Sequence, residues 1–258
     1  MGKIVSITNQ KGGVGKTTTA VSLAYALAEE GKTVLFVDID PQANGTSSLG
    51  INRRNLQKSV YEVIIGSCPV REAIIPTAYK NLDILPTNMN LAGAEIEMVA
   101  LEKRESLLKE ALNQVRHRYD YIIIDCPPSL SLLTLNALNA SNSVIIPLQP
   151  EYLAMEGVSQ LVNTIKLVKQ RYNPTIYIEG VLLTMYDGRM NVTLQVANEV
   201  KKYFGNKVYK TVIARNVRLS EAPSHGKPVQ VYDRYSKGAL AYREMAREFL
   251  ERNEVQSI

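Results

Sequence analysis

The sequence predicts an α/β fold: a single domain over residues 1–258, built on a mostly parallel sheet with helices on both faces. Three observations point to it. Near-continuous apolar runs alternate with helical patterns along the chain. A strand without polar alternation is one buried on both sides, as parallel strands between helical layers are. A glycine-rich loop links the first apolar run to the first helical one, and two further runs end in aspartate. Open parallel sheets hold their ligands beyond those carboxyl ends. The length is ample for one large core and demands no second domain.

Taken in order, the first strand runs from Ile4 to Thr8 and the first helix from Thr17 to Glu30. The next strand, Thr33 to Asp38, is the run Thr33-Val34-Leu35-Phe36-Val37 closed by an acid. Gly45 to Pro76 is the least legible stretch, with a helix expected near Val60 to Ile65. A strand follows at Leu82 to Leu85, then a helix from Lys103 to Arg118. Tyr121-Ile122-Ile123-Ile124 opens the strand that ends at Asp125. The remainder reads as strand Ser143 to Leu148, helix Met155 to Arg171, strand Ile176 to Thr184, helix Asn191 to Tyr203, strand Val208 to Ile213 and helix Gly238 to Arg252. In that last helix Leu240, Met245, Phe249 and Leu250 form a face expected to dock on the core.

The loop is Lys11-Gly12-Gly13-Val14-Gly15-Lys16-Thr17-Thr18. Glycines let successive backbone N–H groups point at one phosphate, an approach that a Cβ would obstruct. The following helix adds its positive N-terminal end, Lys16 can reach the β and γ phosphates, and the Thr17 hydroxyl can ligate magnesium. The expected ligand is a Mg-nucleoside triphosphate cradled by Lys11 to Thr18. The usual spacing, Gly-x-x-x-x-Gly-Lys-Ser/Thr, would put a glycine at position 10. This chain has Gln10 there and a second lysine, Lys11, next. Two lysines on one glycine turn would repel each other without an anion.

Asp38-Ile39-Asp40-Pro41-Gln42 puts two acids at the end of one buried strand, and Asp125-Cys126-Pro127-Pro128-Ser129 puts a third at the end of another. In an open parallel sheet all three can converge on the loop. Asp125 is the expected magnesium acid, acting through water, and Asp40 the candidate for positioning the attacking water. The candidate catalytic set read from the residues is Lys16 and Asp40, with Thr17 and Asp125 at the metal.

The loop with its extra lysine resembles the deviant Walker A P-loop, in which that lysine contacts the phosphates of the partner in a nucleotide-sandwich dimer; the resemblance adds Lys11 to the candidate catalytic set. Together with Glu179-Gly180-Val181-Leu182-Leu183-Thr184 and the stretch from Arg215-Asn216-Val217-Arg218 to Ser224-His225-Gly226, the loop and the two acid strings make the chain similar to the ParA/Soj family of partition ATPases over nearly its whole length. The resemblance implies ATP and Mg²⁺ as cofactors and an ATP-dependent homodimer. It further implies non-specific binding of double-stranded DNA, a ParB-type centromere-binding partner that stimulates hydrolysis, and a role in chromosome or plasmid segregation in the cytoplasm, on the nucleoid. It makes Asn216 an adenine ligand, beside Ala214 where relatives often carry proline, and places DNA on Arg189 and Arg218.

Charge fits that implication. The net +5 comes wholly from residues 129–258, and Arg189 to Lys237 hold 10 basic against 3 acidic residues. Such an excess is an electrostatic footprint for a polyanion read without sequence. Lys201 and Lys202 join the candidate DNA face on charge alone. The alternative, a MinD-like membrane-associated positioning ATPase, shares the loop but needs a basic amphipathic C-terminal helix. Here Arg243, Arg247 and Arg252 are outnumbered by Glu244, Glu248, Glu251 and Glu254. No stretch of about 18 apolar residues occurs to span a membrane, and the start of the first strand leaves no room for a signal peptide. Cys68 and Cys126 lack metal-ligand spacing and read as reduced thiols. His225 reads as a loop-packing residue.

Overall fold

The computed structural model of the chain describes residues 1–152 and 154–255. Its strands are β1 (Lys3–Ile7), β2 (Val34–Asp38), β3 (Ile75–Pro76), β4 (Leu82–Leu85), β5 (Tyr121–Asp125), β6 (Ser143–Leu148), β7 (Tyr177–Tyr186) and β8 (Val208–Ala214). They form one sheet in the order β3-β4-β2-β5-β1-β6-β7-β8. Every pairing is parallel except β3 with β4.

The alternation of side chains across the strands divides the core in two. Val5, Ile7, Val34, Phe36, Ile123, Ile145 and Leu182 point to one face, where the helices Lys16–Glu29 and Lys237–Val255 lie. Ile4, Leu35, Val37, Ile122 and Ile124 point to the other, beneath helices that include Val60–Ile64, Leu91–Met98 and Leu107–Asn113. On the same side, Val144, Ile146, Val181 and Leu183 pack under Ala154–Arg171 and Asn191–Phe204. Both faces are thus apolar on every central strand, which is why these strands carry no polar alternation.

The strand order positions the site. From β1 the chain runs through its first helix to β2, leaving a slot that β5 later fills, and then places β6 on the other side of β1. The β1 end is therefore a topological switch point, with crevices towards both β5 and β6. Ile7 registers with Asp125 on one side and Ile145 on the other, and Asp38 registers with Asp125. Two of the three acids accordingly sit on adjacent strand ends, directly beside the loop.

Three expectations change. The helix expected over Lys103 to Arg118 is Leu107–Asn113 followed by a separate 3₁₀ turn at Arg116–Arg118. Lys103 has a positive φ of 51°, which a helix cannot accommodate. Strand β3, two residues long and ending in proline, was not anticipated. On the last helix Met245 and Phe249 are fully buried as expected, but Leu240 is half exposed. The arginines of that helix are neutralised by Glu29, Glu30 and Glu248. Among the described residues no helix is long and apolar enough to cross a membrane.

Candidate functional site

The loop between β1 and the first helix is held from two sides. Asn9 is buried; its amide donates to the Pro147 carbonyl (2.7 Å), and its carbonyl oxygen accepts from the Lys11 N–H (3.1 Å). The Thr184 hydroxyl, at the end of β7, donates to the Val14 carbonyl (2.8 Å). Gly13 and Gly15 adopt φ of 74° and 84°, a region glycine enters freely. A Cβ on Gly12 or Gly13 would touch nothing within 4 Å. These glycines therefore front open space rather than protein packing. Gly15 caps the helix without any side-chain hydrogen bond. The first N–H groups of the helix are thus left for a ligand, and the helix dipole favours an anion there.

Lys16 is nearly buried, its Nζ donating to the Lys11 carbonyl (3.0 Å). Burial lowers its pKa, while the charges of Asp125, Cys126 and Asp40 oppose that shift. Asp125 is fully buried, and although the Thr17 hydroxyl lies beside it, neither carboxylate oxygen accepts a hydrogen bond of good geometry. Burial, reinforced by the charge of Asp38, holds its carboxyl well above the ordinary range. Buried polar groups are normally paired. An acid with both oxygens unpaired beside a hydroxyl fits a bound cation. Among the described residues no three His, Cys, Asp or Glu side chains form an all-protein metal cage. Magnesium does not need one, since it is bound by one or two protein groups plus phosphate and water.

The other two acids divide their roles. Asp38 accepts from the Asp40 N–H (3.1 Å) and from both the N–H (2.7 Å) and hydroxyl (2.8 Å) of Thr46. It braces the turn after β2 and the short helix Asn44–Ser48, so it converges on the loop without a free oxygen to offer. Burial pushes its pKa up to about 6 despite those bonds. Asp40 accepts the Gln42 N–H (3.0 Å) on one oxygen, and it lies close enough for its charge to act on Lys16. Lys11 is half exposed and rests on Glu151 (2.6 Å), whose other oxygen is held by the Gln149 amide.

Next to the loop lies a cleft of about 380 Å³ lined by Gly15, Thr18, Thr184, Met185, Ala214, Asn216 and Tyr242. Asn216 caps the helix Val217–Glu221 by accepting the Arg218 N–H on its side-chain oxygen (2.9 Å). Its amide nitrogen takes no part in that cap. Met185 takes a left-handed φ of 49° on the cleft wall. Such strain in a non-glycine residue concentrates at functional sites.

Tyr186 registers with Ala214, so the turns after β7 and β8, which carry Arg189 and Arg218, are neighbours at the same end of the sheet as the loop. Arg215 lies close enough to help depress the pKa of Asp187 and takes part in no ion pair among the described residues. Lys201 and Lys202 occupy the last turn of Asn191–Phe204, about 15 Å along the axis at 1.5 Å per residue from the helix start that Arg189 precedes. The structure does not bring them to the arginines. His225 stacks on Tyr232, with ring centroids 4.8 Å apart. Asn9, Thr184, Glu151, Met185 and Arg215 were not singled out beforehand. Asn9 had a signal, being a turn-forming residue between the first apolar run and the glycines; Thr184 and Arg215 stand in stretches that carry the family resemblance, and Glu151 and Met185 come to the site through strand order.

A family model described as an AAA domain matches residues 2–178. The sporulation initiation inhibitor protein Soj of Bacillus subtilis is 59% identical, aligning over 96% of this chain and 98% of its own length. Chromosome partitioning protein ParA of Myxococcus xanthus is 51% identical over 100% and 91%. Among solved structures, cobyrinic acid a,c-diamide synthase of Mycobacterium smegmatis with bound ADP and magnesium superimposes with a TM-score of 0.86 at 40% identity, covering 98% of this chain and 96% of that one. The cell division ATPase MinD of Pyrococcus furiosus does so with 0.81 at 28%, covering 97% and 99%. Similar to these partitioning proteins over nearly its whole length, the chain belongs to the ParA/Soj family of chromosome-partitioning P-loop ATPases.

Proposed function

We propose that this protein hydrolyses Mg-ATP and uses its nucleotide state to switch between a free monomer and a homodimer bound to DNA. The observation that carries the catalytic part is the buried, unpaired carboxylate of Asp125 beside an uncapped, glycine-lined helix N-terminus. Lys11 to Thr18 hold the phosphates through backbone N–H groups, and Lys16 places its charge against the β and γ oxygens. Thr17 and Asp125 would hold magnesium, which supplies neutralising charge to the phosphate oxygens. Asp40, with one oxygen committed to its own turn and one free, orients the attacking water. Asn216 and the wall at Ala214 receive the base in the cleft beside the loop.

Lys11 leaves Glu151 and reaches the phosphates of the facing subunit, so ATP joins the two. Arg189 and Arg218 of both subunits then lie on one duplex, and two linked weak sites bind far more tightly than one. A ParB-type partner accelerates hydrolysis, which dissolves the dimer and releases DNA. The family, together with the basic excess of Arg189 to Lys237, supports the role in chromosome or plasmid segregation on the nucleoid. Phosphate release from ATP by the purified chain, with and without magnesium and duplex DNA, tests the proposal. Magnesium-dependent release is expected; none under any combination would overturn it.

A further inference from the structure

Each arginine proposed to hold DNA already holds a carboxylate. Arg189 donates through Nε (2.9 Å) and Nη2 (2.7 Å) to the two oxygens of Asp187. Arg218 donates through Nη1 to Glu221 (2.8 Å) and pairs through Nε with Asp233 (3.2 Å). Tyr232 fixes that arrangement by donating its hydroxyl to the same Glu221 oxygen (3.1 Å).

The geometry bears directly on phosphate recognition. A guanidinium offers two planar forks, Nε with Nη2 and Nη1 with Nη2, and binds phosphate best through one whole fork. Asp187 fills the first fork of Arg189 and partly neutralises its charge, leaving the end-on fork open. On Arg218, Asp233 takes the Nε donor of one fork and Glu221 sits on Nη1 of the other. A phosphate on Arg218 must compete with a carboxylate at either fork, and one on Arg189 must displace Asp187 or bind end-on beside it. The pairing also shows in the acids: hydrogen bonding to Arg189 pushes the Asp187 carboxyl down to about 2, and Arg218 lowers that of Glu221.

We propose that Asp187, Glu221 and Asp233 are internal competitors for DNA phosphate, which set the DNA affinity of a subunit below what its arginines alone would give. The proposal rests on the reading of Arg189 and Arg218 as the DNA face and specifies what regulates that face. Its consequence is a steeper switch. Each subunit loses some affinity, a monomer falls below useful binding, and the dimer, which multiplies two contacts, stays above it.

A double-mutant cycle on Arg218 tests this, with DNA affinity measured on one duplex at fixed salt and at matched populations of ATP-bound dimer. Exposed pairs of this kind are weak, so Glu221→Gln or Asp233→Asn should tighten binding about two- to five-fold per subunit, applied twice in the dimer. In an Arg218→Gln background the same changes should do nothing, because the competition has lost its object. An equal gain in both backgrounds would mean that the acids merely repel DNA at a distance, and would overturn the proposal. Weaker binding in the parent background would also overturn it, by showing that the acids hold Arg218 in its binding posture. Should Arg218→Gln alone bind DNA like the parent, the DNA reading of this arginine fails, and the proposal with it.

Discussion

Replacing Asp125 with asparagine should make the nucleotide-free protein more stable and the nucleotide-bound one less so. The parent buries this carboxylate completely with neither oxygen paired, next to the equally buried Asp38. Leaving one buried polar group unsatisfied costs about 2 kcal/mol, and more for a charge. Asp125→Asn keeps the shape and leaves an unpaired amide in its place, but removes the charge; relief of about 2 kcal/mol on that account corresponds, for a chain of this length, to a rise in Tm of about 4–8 °C at pH 8. The sign follows from the shifted acids. Asp38 titrates at about 6 in the fold against an ordinary 3.8, so the folded state binds a proton that the unfolded chain has lost. Stability is therefore highest below pH 4 as far as this group is concerned, falls as pH rises to 6 and stays lower above it. The amount is about 3 kcal/mol at about 1.4 kcal/mol per pH unit. Asp125 is shifted in the same direction, so the advantage of the variant should shrink towards pH 5. Thermal unfolding at pH 8 and pH 5, with and without Mg-ADP, reads all of this. The parent should gain from Mg-ADP and the variant hardly at all. A variant less stable than the parent at pH 8 without nucleotide, or one stabilised by Mg-ADP as much as the parent, would refute the reasoning.

The remaining predictions concern single side chains. Lys16→Ala removes the charge against the β and γ phosphates and should abolish ATP-dependent dimerisation and, with it, DNA binding; light scattering with ATP checks this, and a parental dimer contradicts it. Asp40→Ala should bind ATP yet hardly release phosphate, accumulating as a dimer on DNA, whereas turnover at the parental rate would remove Asp40 from catalysis. Arg189→Glu and Arg218→Glu should leave the ATP dimer intact and lower the salt dependence of DNA binding by about two logarithmic units of slope per variant, since each dimer loses two phosphate contacts. The loss should be equal on unrelated duplexes, because phosphate contacts carry no base information; binding curves at several salt concentrations decide it.

The central sheet was legible because its strands are apolar on both faces and leave no ambiguity of period, from Ile4-Val5 to the run ending at Asp125. The short elements were not. The helix Leu132–Ala140 is buried almost all round, Asn136 and Asn139 included, so it carries no polar stripe to betray its period. Leu91–Met98 is interrupted by Gly93, and β3 is too short for any pattern. At the candidate site, the glycines, Lys16, Thr17, Asp40 and Asp125 could be singled out because they follow directly on a strand end. Asp40 was preferred to Asp38 from the sequence, but only the folded chain shows why Asp38 is occupied: Thr46 reaches back to it. Thr184 and Glu151 serve a loop more than 130 residues earlier in the chain. Nothing in their neighbourhoods announces that, since the strand order alone brings them there.

The switch itself is tested most directly by the mass of the protein in solution with ADP and with a non-hydrolysable ATP analogue, each with and without a short duplex, for the parent and for Lys11→Ala. The account predicts a parental monomer with ADP that does not retain DNA, a dimer with the ATP analogue that does, and a Lys11→Ala chain that stays monomeric throughout while still binding nucleotide. A parent whose mass and DNA retention are the same with either nucleotide would contradict the account.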